Sequence, residues 1–330
     1  MIRLTKVELR RLTARRLTVI GIAGLFVITV MLLVGTWLNA RPLSASAQQE
    51  AQQQYQMAHK DWVEHAADNL KQCAADWKTQ PDPKPKLEEM CANPEPKPGD
   101  FGKPATVFTE VMPGLLQGSA YFLAFAAFLI GASFIGAEFG SGAIGNWMTF
   151  EPRRLRVYGS KLAAAATGFV PIATVVLGII LLGTFLIIDQ LGDTSSATAK
   201  AWGDLSATAG RAVLTTALAA AIGSVTGLLL RHTAAAIGVV MGYLVLAEGV
   251  FGSFLEKAQP WLVRLNFDAF VRHDAHYYVT ECKTASDGGY ICDAIQKTLT
   301  FEHGAWYLAI LTVLAVLLGA WVFHHRDINS

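Results

Sequence analysis

Four groups of residues in this 330-residue chain have a type or spacing that could carry chemistry. Gly131-Ala132-Ser133 begins like the Gly-x-Ser-Gly turn that presents a serine nucleophile. Phe134 replaces the last glycine, however, and no apolar segment holds a histidine to serve as base, so small residues for helix packing explain it better. His273-Asp274-Ala275-His276, with Glu281 nearby, has two imidazoles three residues apart, but no firm helix or further ligand completes a metal set, and solvated loop residues are expected. Glu248 is an acid inside an apolar run, a costly placement that points to a gate or substrate contact, or to an ion pair with Arg264 or Arg211. The fourth group runs from Glu138 to Lys161 and contains Glu151-Pro152-Arg153-Arg154-Leu155-Arg156. No Gly-x4-Gly-Lys-Ser/Thr loop occurs, so the chain lacks the usual phosphate cradle. No catalytic residue, metal ligand or cofactor-binding residue is assigned.

The elements that must position these groups are membrane helices. Hydrophobic residues make up 52% of the chain and charged ones 16%, against about a quarter charged in ordinary soluble domains. A bilayer core about 30 Å thick needs roughly 20 apolar residues per helix, since backbone polar groups must be satisfied within the helix. Six stretches meet that need: 17–38, 114–135, 162–188, 212–230, 233–255 and 305–323. The expected fold is therefore an all-α polytopic membrane protein with six transmembrane helices. Pro171 should kink the third span. The first span is too long for a cleaved signal core, so the mature protein is expected to retain residues 1–47.

Charge and cysteine usage orient the bundle. A net charge of +1 argues against a nucleic-acid partner, yet Arg3, Lys6, Arg10, Arg11, Arg15 and Arg16 crowd the N-terminal segment 1–16. Arg153, Arg154, Arg156, Lys161, Arg231 and Arg326 fall on the same side, which places both termini and the tail 324–330 in the cytoplasm. Cys73, Cys91, Cys282 and Cys292 then lie in the long extracytoplasmic segments 39–113 and 256–304, where disulfides persist; the pairings Cys73–Cys91 and Cys282–Cys292 are favoured over the two alternatives. Together these segments are expected to form a small stapled cap.

Within segment 39–113, Tyr55, Trp62, Ala66, Leu70, Cys73 and Trp77 recur at helical spacing and stop before a proline-rich return. Packing against that return or against the other external segment is the expected role of the stripe, with a substrate- or partner-contacting surface as the alternative. Gly288-Gly289 marks a turn in segment 256–304. Gly223-x3-Gly227 and Gly238-x3-Gly242 sit on consecutive spans joined by little more than Arg231-His232, so a tight antiparallel hairpin is expected there.

The segment 136–161 leaves the second span through glycines, and Glu151-Pro152 reads as a helix start that suits the helix dipole. Its arginines could simply hold lipid headgroups. An acid, a glycine-rich turn, Pro-Arg-Arg-x-Arg and Gly159-Ser160-Lys161 entering the next span resemble the cytoplasmic segment of type-2 ATP-binding cassette (ABC) exporter permeases. The end of the last span, Phe323-His324-His325-Arg326-Asp327-Ile328, is similar to theirs as well, while the long cysteine-bearing segment after the first span departs from many relatives. The resemblance implies a bacterial inner-membrane permease dimer, of two copies or of related chains, powered by a separate ABC ATPase subunit that supplies the ATP site. Glu138, Glu151, Pro152, Arg153, Arg154, Arg156 and Lys161 would couple to that ATPase, residues 1–16 would form an interfacial helix, and an amphipathic drug, peptide or lipid would be the cargo. A membrane anchor or sensor whose cap binds a partner is the alternative, and a lipid-modifying or proteolytic membrane enzyme a weaker one.

Overall fold

The computed structural model describes residues 2–80, 86–140, 142–145, 153–284 and 290–325. Among the described residues, six helices are long and apolar enough to cross a membrane. They are α2 (Arg16–Ala40), α4 (Phe108–Gly140), α5 (Arg154–Leu191), α6 (Ala199–Leu230), α7 (Thr233–Gly242, continued by a π-helix Tyr243–Phe251) and α9 (Phe301–His325). A short α1 (Ile2–Thr13) precedes them, α3 (Ala45–Thr79) follows α2, and α8 (Val263–Arg272) lies between α7 and α9. Five of the spans exceed the apolar stretches in the sequence because their ends continue the helix, while the fifth span, Thr233–Phe251, stops short of residue 255. Thus α5, with 38 residues, is roughly 57 Å long at 1.5 Å per residue, and it runs as one helix through Pro171.

The core is built from α4, α5 and α6. One cluster centres on Phe108, Met112, Leu116, Ile180 and Ile188, the other on Phe134, Ile135, Phe169, Leu228 and Phe323. Half of the apolar window of α4 and of α6 is buried within the chain, against 6% for α7. Glycine explains the tight α4–α6 pairing. A Cβ at Gly223 would sit 2.1 Å from the Phe128 carbonyl oxygen, one at Gly227 2.1 Å from that of Ala132, and one at Gly131 2.3 Å from that of Ala220. This corrects the expected partner of that small-residue motif, which serves α4 and not α7. The turn at Arg231 is sharp, with Arg231 in the left-handed region (φ 54°), but Gly238 and Gly242 have open space around them.

At the end of the bundle opposite α1, α3 is capped by Ser44, whose Oγ accepts from the Ala47 amide, and closes on its own return segment. Trp62 donates to the Asn93 carbonyl (3.0 Å), His59 meets Glu95 (2.9 Å), Tyr55 lies against Phe101, and Cys73 is bonded to Cys91. Packing is thus the role of most of the aromatic stripe, although Leu70 stays half exposed.

The all-α expectation fails at one place. Residues Ala275–Thr284 (β1) and Tyr290–Leu299 (β2) form an antiparallel hairpin with Cys282 opposite Cys292, joined by the expected second disulfide. Its reason is local: Tyr277-Tyr278-Val279-Thr280 is aromatic and β-branched, and Ala275 and Val279 are buried while His276 and Tyr278 are exposed. The Gly288-Gly289 turn lies outside the described residues.

Candidate functional site

Where α1, α4 and α5 converge, five charged side chains form one knot. Lys161 near the start of α5 sits 3.1 Å from both carboxylate oxygens of Glu8 and 2.5 Å from Glu138 Oε2 near the end of α4. Arg15 reaches Glu138 Oε1 (3.3 Å) and donates to the Ser133 carbonyl (2.9 Å), while Arg11 spans Glu8 and Glu138 at 3.4 Å each. The Phe134 ring lies beneath Arg15 and Lys161. Glu8, Glu138 and Lys161 are at most 2% exposed. Charges so deep are tolerated because each meets an opposite partner, and losing one partner strands another in a medium of low dielectric.

Leu12 and Leu9 seat α1 beside this knot, packing over Gly168, where a side chain would collide with Leu12. Two of the coupling residues expected from the sequence, Glu138 and Lys161, are therefore brought together. Arg153 and Arg156 are exposed at the start of α5, and Arg154 donates to the His324 carbonyl (3.1 Å). Glu151 and Pro152, as well as the tail from Arg326, lie outside the described residues. Sequence reasoning missed Glu8, Arg11 and Arg15 as partners. Glu8 occupies the inward face of α1 together with Leu12, four residues on, so a count of apolar residues alone finds no clean face.

Glu248 serves a second polar site, at the far end of α7. The ten-residue α8 has no side-chain cap of its own at Leu262. Its first amides are taken from outside: Tyr243 Oη accepts from Val263 N–H (3.0 Å) and Glu248 Oε1 from Arg264 N–H (3.0 Å), and the Tyr243 hydroxyl donates to Glu248 (2.7 Å). The π-helix explains why residues five apart stand together, since its i→i+5 winding brings them to nearly one face. At the other end of α8, Arg211 donates through Nε to the Val271 carbonyl (2.9 Å). An acid at the N-terminus and a base at the C-terminus match the helix dipole. Among the described residues, Glu248 meets the Arg264 backbone and no cation, so neither ion pair considered from the sequence forms.

A further side of α8 locks onto α4. Asp268 accepts from Gln117 (2.5 Å) and from the Tyr121 hydroxyl (2.6 Å), Arg272 donates to Gln117 (3.1 Å), and Phe267 stacks on Tyr121. The histidine group is dispersed. His273 stacks on Phe301, Asp274 accepts from the Phe301 amide at the start of α9 (2.7 Å), and His276 pairs with Thr298 across the hairpin. Comparison of the chain with protein families, with curated proteins and with solved structures returns no match.

Proposed function

We propose that this chain is the membrane subunit of an ATP-driven ABC exporter, acting as a dimer with a separate ATPase docked on the segment from Glu138 to Lys161. The observation that supports the reading is the knot. Both ends of that segment, Glu138 and Lys161, are tied to each other and to α1, so a push on the segment is delivered to three helices at once. Arg153 and Arg156 stand exposed beside it for contact with a partner. In this reading, α8 is the gate at the opposite end and Glu248 its latch, with Oε2 buried and free of hydrogen-bond partners among the described residues. The cargo is an amphipathic molecule and the setting a bacterial inner membrane with the disulfide-bonded segments outside.

Co-purification tests the docking. Tagged protein should bring down a soluble Walker-motif ATPase and acquire vanadate-sensitive ATP hydrolysis. Replacing Arg153, Arg154 and Arg156 together by Glu should abolish both, and retention of the ATPase by that variant sinks the proposal. One observation favours the second reading, a membrane anchor or sensor. The 35-residue α3 has no buried residue and exposes Met57, Val63 and Leu70, a surface available to a partner. Normal ATPase capture and transport after excision of residues 45–101 would remove that alternative as the main role.

A further inference from the structure

The outward face of α1 has no use in the knot, and its pattern is specific. Glu8 and Leu12 mark the buried face. At 100° per residue, Arg3, Lys6 and Arg10 fall within a narrow stripe on the opposite side of the helix. All three are exposed, and none forms an ion pair among the described residues. Exposed Ile2 and Val7 border the stripe on its two sides. Arg16 and Leu17, at the start of α2, continue the same mixture of exposed cation and exposed aliphatic.

Depth decides what such a face meets. Leu9 and Leu12 pack on Gly168, seven residues beyond Lys161 along α5, or roughly 10 Å toward the interior of the bundle. Helix α1 thus lies alongside the bundle at the level where the apolar part of α5 begins, and it does not project from its end. In a bilayer crossed by the six apolar helices, its free side would face the headgroup layer. There the aliphatic flanks meet acyl chains and the cations meet phosphates, the arrangement of an amphipathic helix lying in an interface.

We infer that the outward face of α1 is a recognition surface for anionic phospholipid headgroups, with Arg3, Lys6 and Arg10 as the phosphate-contacting residues. Charge complementarity selects this occupant. Inside the knot, three cations, Arg11, Arg15 and Lys161, outnumber the carboxylates Glu8 and Glu138, so among the described residues the neighbouring protein adds positive charge and supplies no counter-ion for the stripe. The bound lipid would hold α1 down and so brace the knot from outside. The inference stands on the interface alone and does not depend on what the bundle transports.

Native mass spectrometry of the purified full chain, titrated with phosphatidylglycerol or phosphatidylcholine, reads the surface directly. A basic residue near an anionic surface is worth about 1 kcal/mol, or roughly fivefold in affinity. The first phosphatidylglycerol should therefore bind at least fivefold more weakly to the R3Q/K6Q/R10Q variant, while phosphatidylcholine is unaffected. A R3K/R10K variant, which keeps the charge, should restore binding and guards against misfolding as the cause. K60Q/K71Q on the exposed α3 should change nothing. Equal affinity for the two lipids in the native chain, or an unchanged phosphatidylglycerol affinity in R3Q/K6Q/R10Q, overturns the inference. If that variant keeps its lipid affinity but no longer captures the ATPase, the face belongs to an acidic protein partner.

Discussion

Lys161 shows what a single residue can reveal only once its neighbours are known. From the sequence it is a basic residue at the mouth of a span, expected to couple to an ATPase subunit. In the fold it is 1% exposed and held by two carboxylates from two other helices. Replacing it by Ala takes from Glu8 and Glu138 their nearest cation and leaves them to Arg11 and Arg15 at 3.3–3.4 Å, and the loss should approach about 3–5 kcal/mol, the usual cost of breaking a buried ion pair. Thermal unfolding in detergent checks this, and K161A/E138Q should recover part of the loss because two buried carboxylates no longer face each other with a cation missing between them. A melting point unchanged by K161A would mean that the knot contributes nothing to the fold. Glu138 and Lys161 were legible as the two ends of one segment, but not as an ion pair. Glu8 was not, since a lone acid among six basic residues looks like a surface charge until α1 is docked.

At the scale of the element, helices were legible and their partners were not. Apolar run length identifies a span regardless of tertiary context, whereas small residues mark close packing without saying against what. Gly223 and Gly238 head identical motifs, yet a Cβ at the first meets the Phe128 backbone at 2.1 Å and one at the second meets nothing within 4 Å. Gly223→Ala should push α4 and α6 apart and destabilise the chain by about 1–3 kcal/mol, the usual overpacking cost. Gly238→Ala should leave the fold of the single chain intact, and chemical denaturation of the two variants separates these outcomes. The π-helix left no mark in the sequence, so the pairing of Tyr243 with Glu248 was invisible. Because Glu248 caps α8, Glu248→Ala should loosen α8 by about 1 kcal/mol, a typical cap value, and Glu248→Gln by less. Hydrogen exchange at residues 263–272 reads that difference.

The β-hairpin carries a pH dependence of its own. Lys297 bonds Glu281 at 2.8 Å, holding the carboxyl below its ordinary range and the ammonium above its own. The carboxylate's contribution is present above its unfolded pKa and lost as pH falls through the depressed folded value. The ammonium's is present below its unfolded pKa and lost as pH rises through the raised folded value. Amide protection in 275–284 should therefore stay level across neutral pH and fall only at the two extremes. Lys297→Gln should remove both limbs, and limbs that persist in that variant would assign them to other groups.

For the whole molecule, apolar run length marks six helices long enough to cross a membrane but leaves the shape of the bundle open. Three helices, α4, α5 and α6, make the core, and α2, α7 and α9 turn large apolar faces outward, a division that hydropathy cannot see because a lipid-facing leucine and a core leucine look alike. Sidedness follows from the crossing number. In the proposed six-span reading, α1 and the end of α9 share one side, α3, reached after a single crossing, stands on the other, and the crowding of basic residues at α1 is expected to put its side in the cytoplasm. The described residues contain no free cysteine, so single introduced thiols report without background. Lys60→Cys on α3 and Lys6→Cys on α1 are both exposed positions. In intact cells stripped of any outer membrane, a membrane-impermeant maleimide should label the first and reach the second only after lysis. Labelling of both from outside would require an odd number of crossings between them to fail, and with it the assignment of α2 as a membrane span. Labelling in the reverse order would keep the six spans and invert the whole protein, placing the knot and the basic face of α1 outside the cell and removing any cytoplasmic ATPase from contact with Glu138 to Lys161.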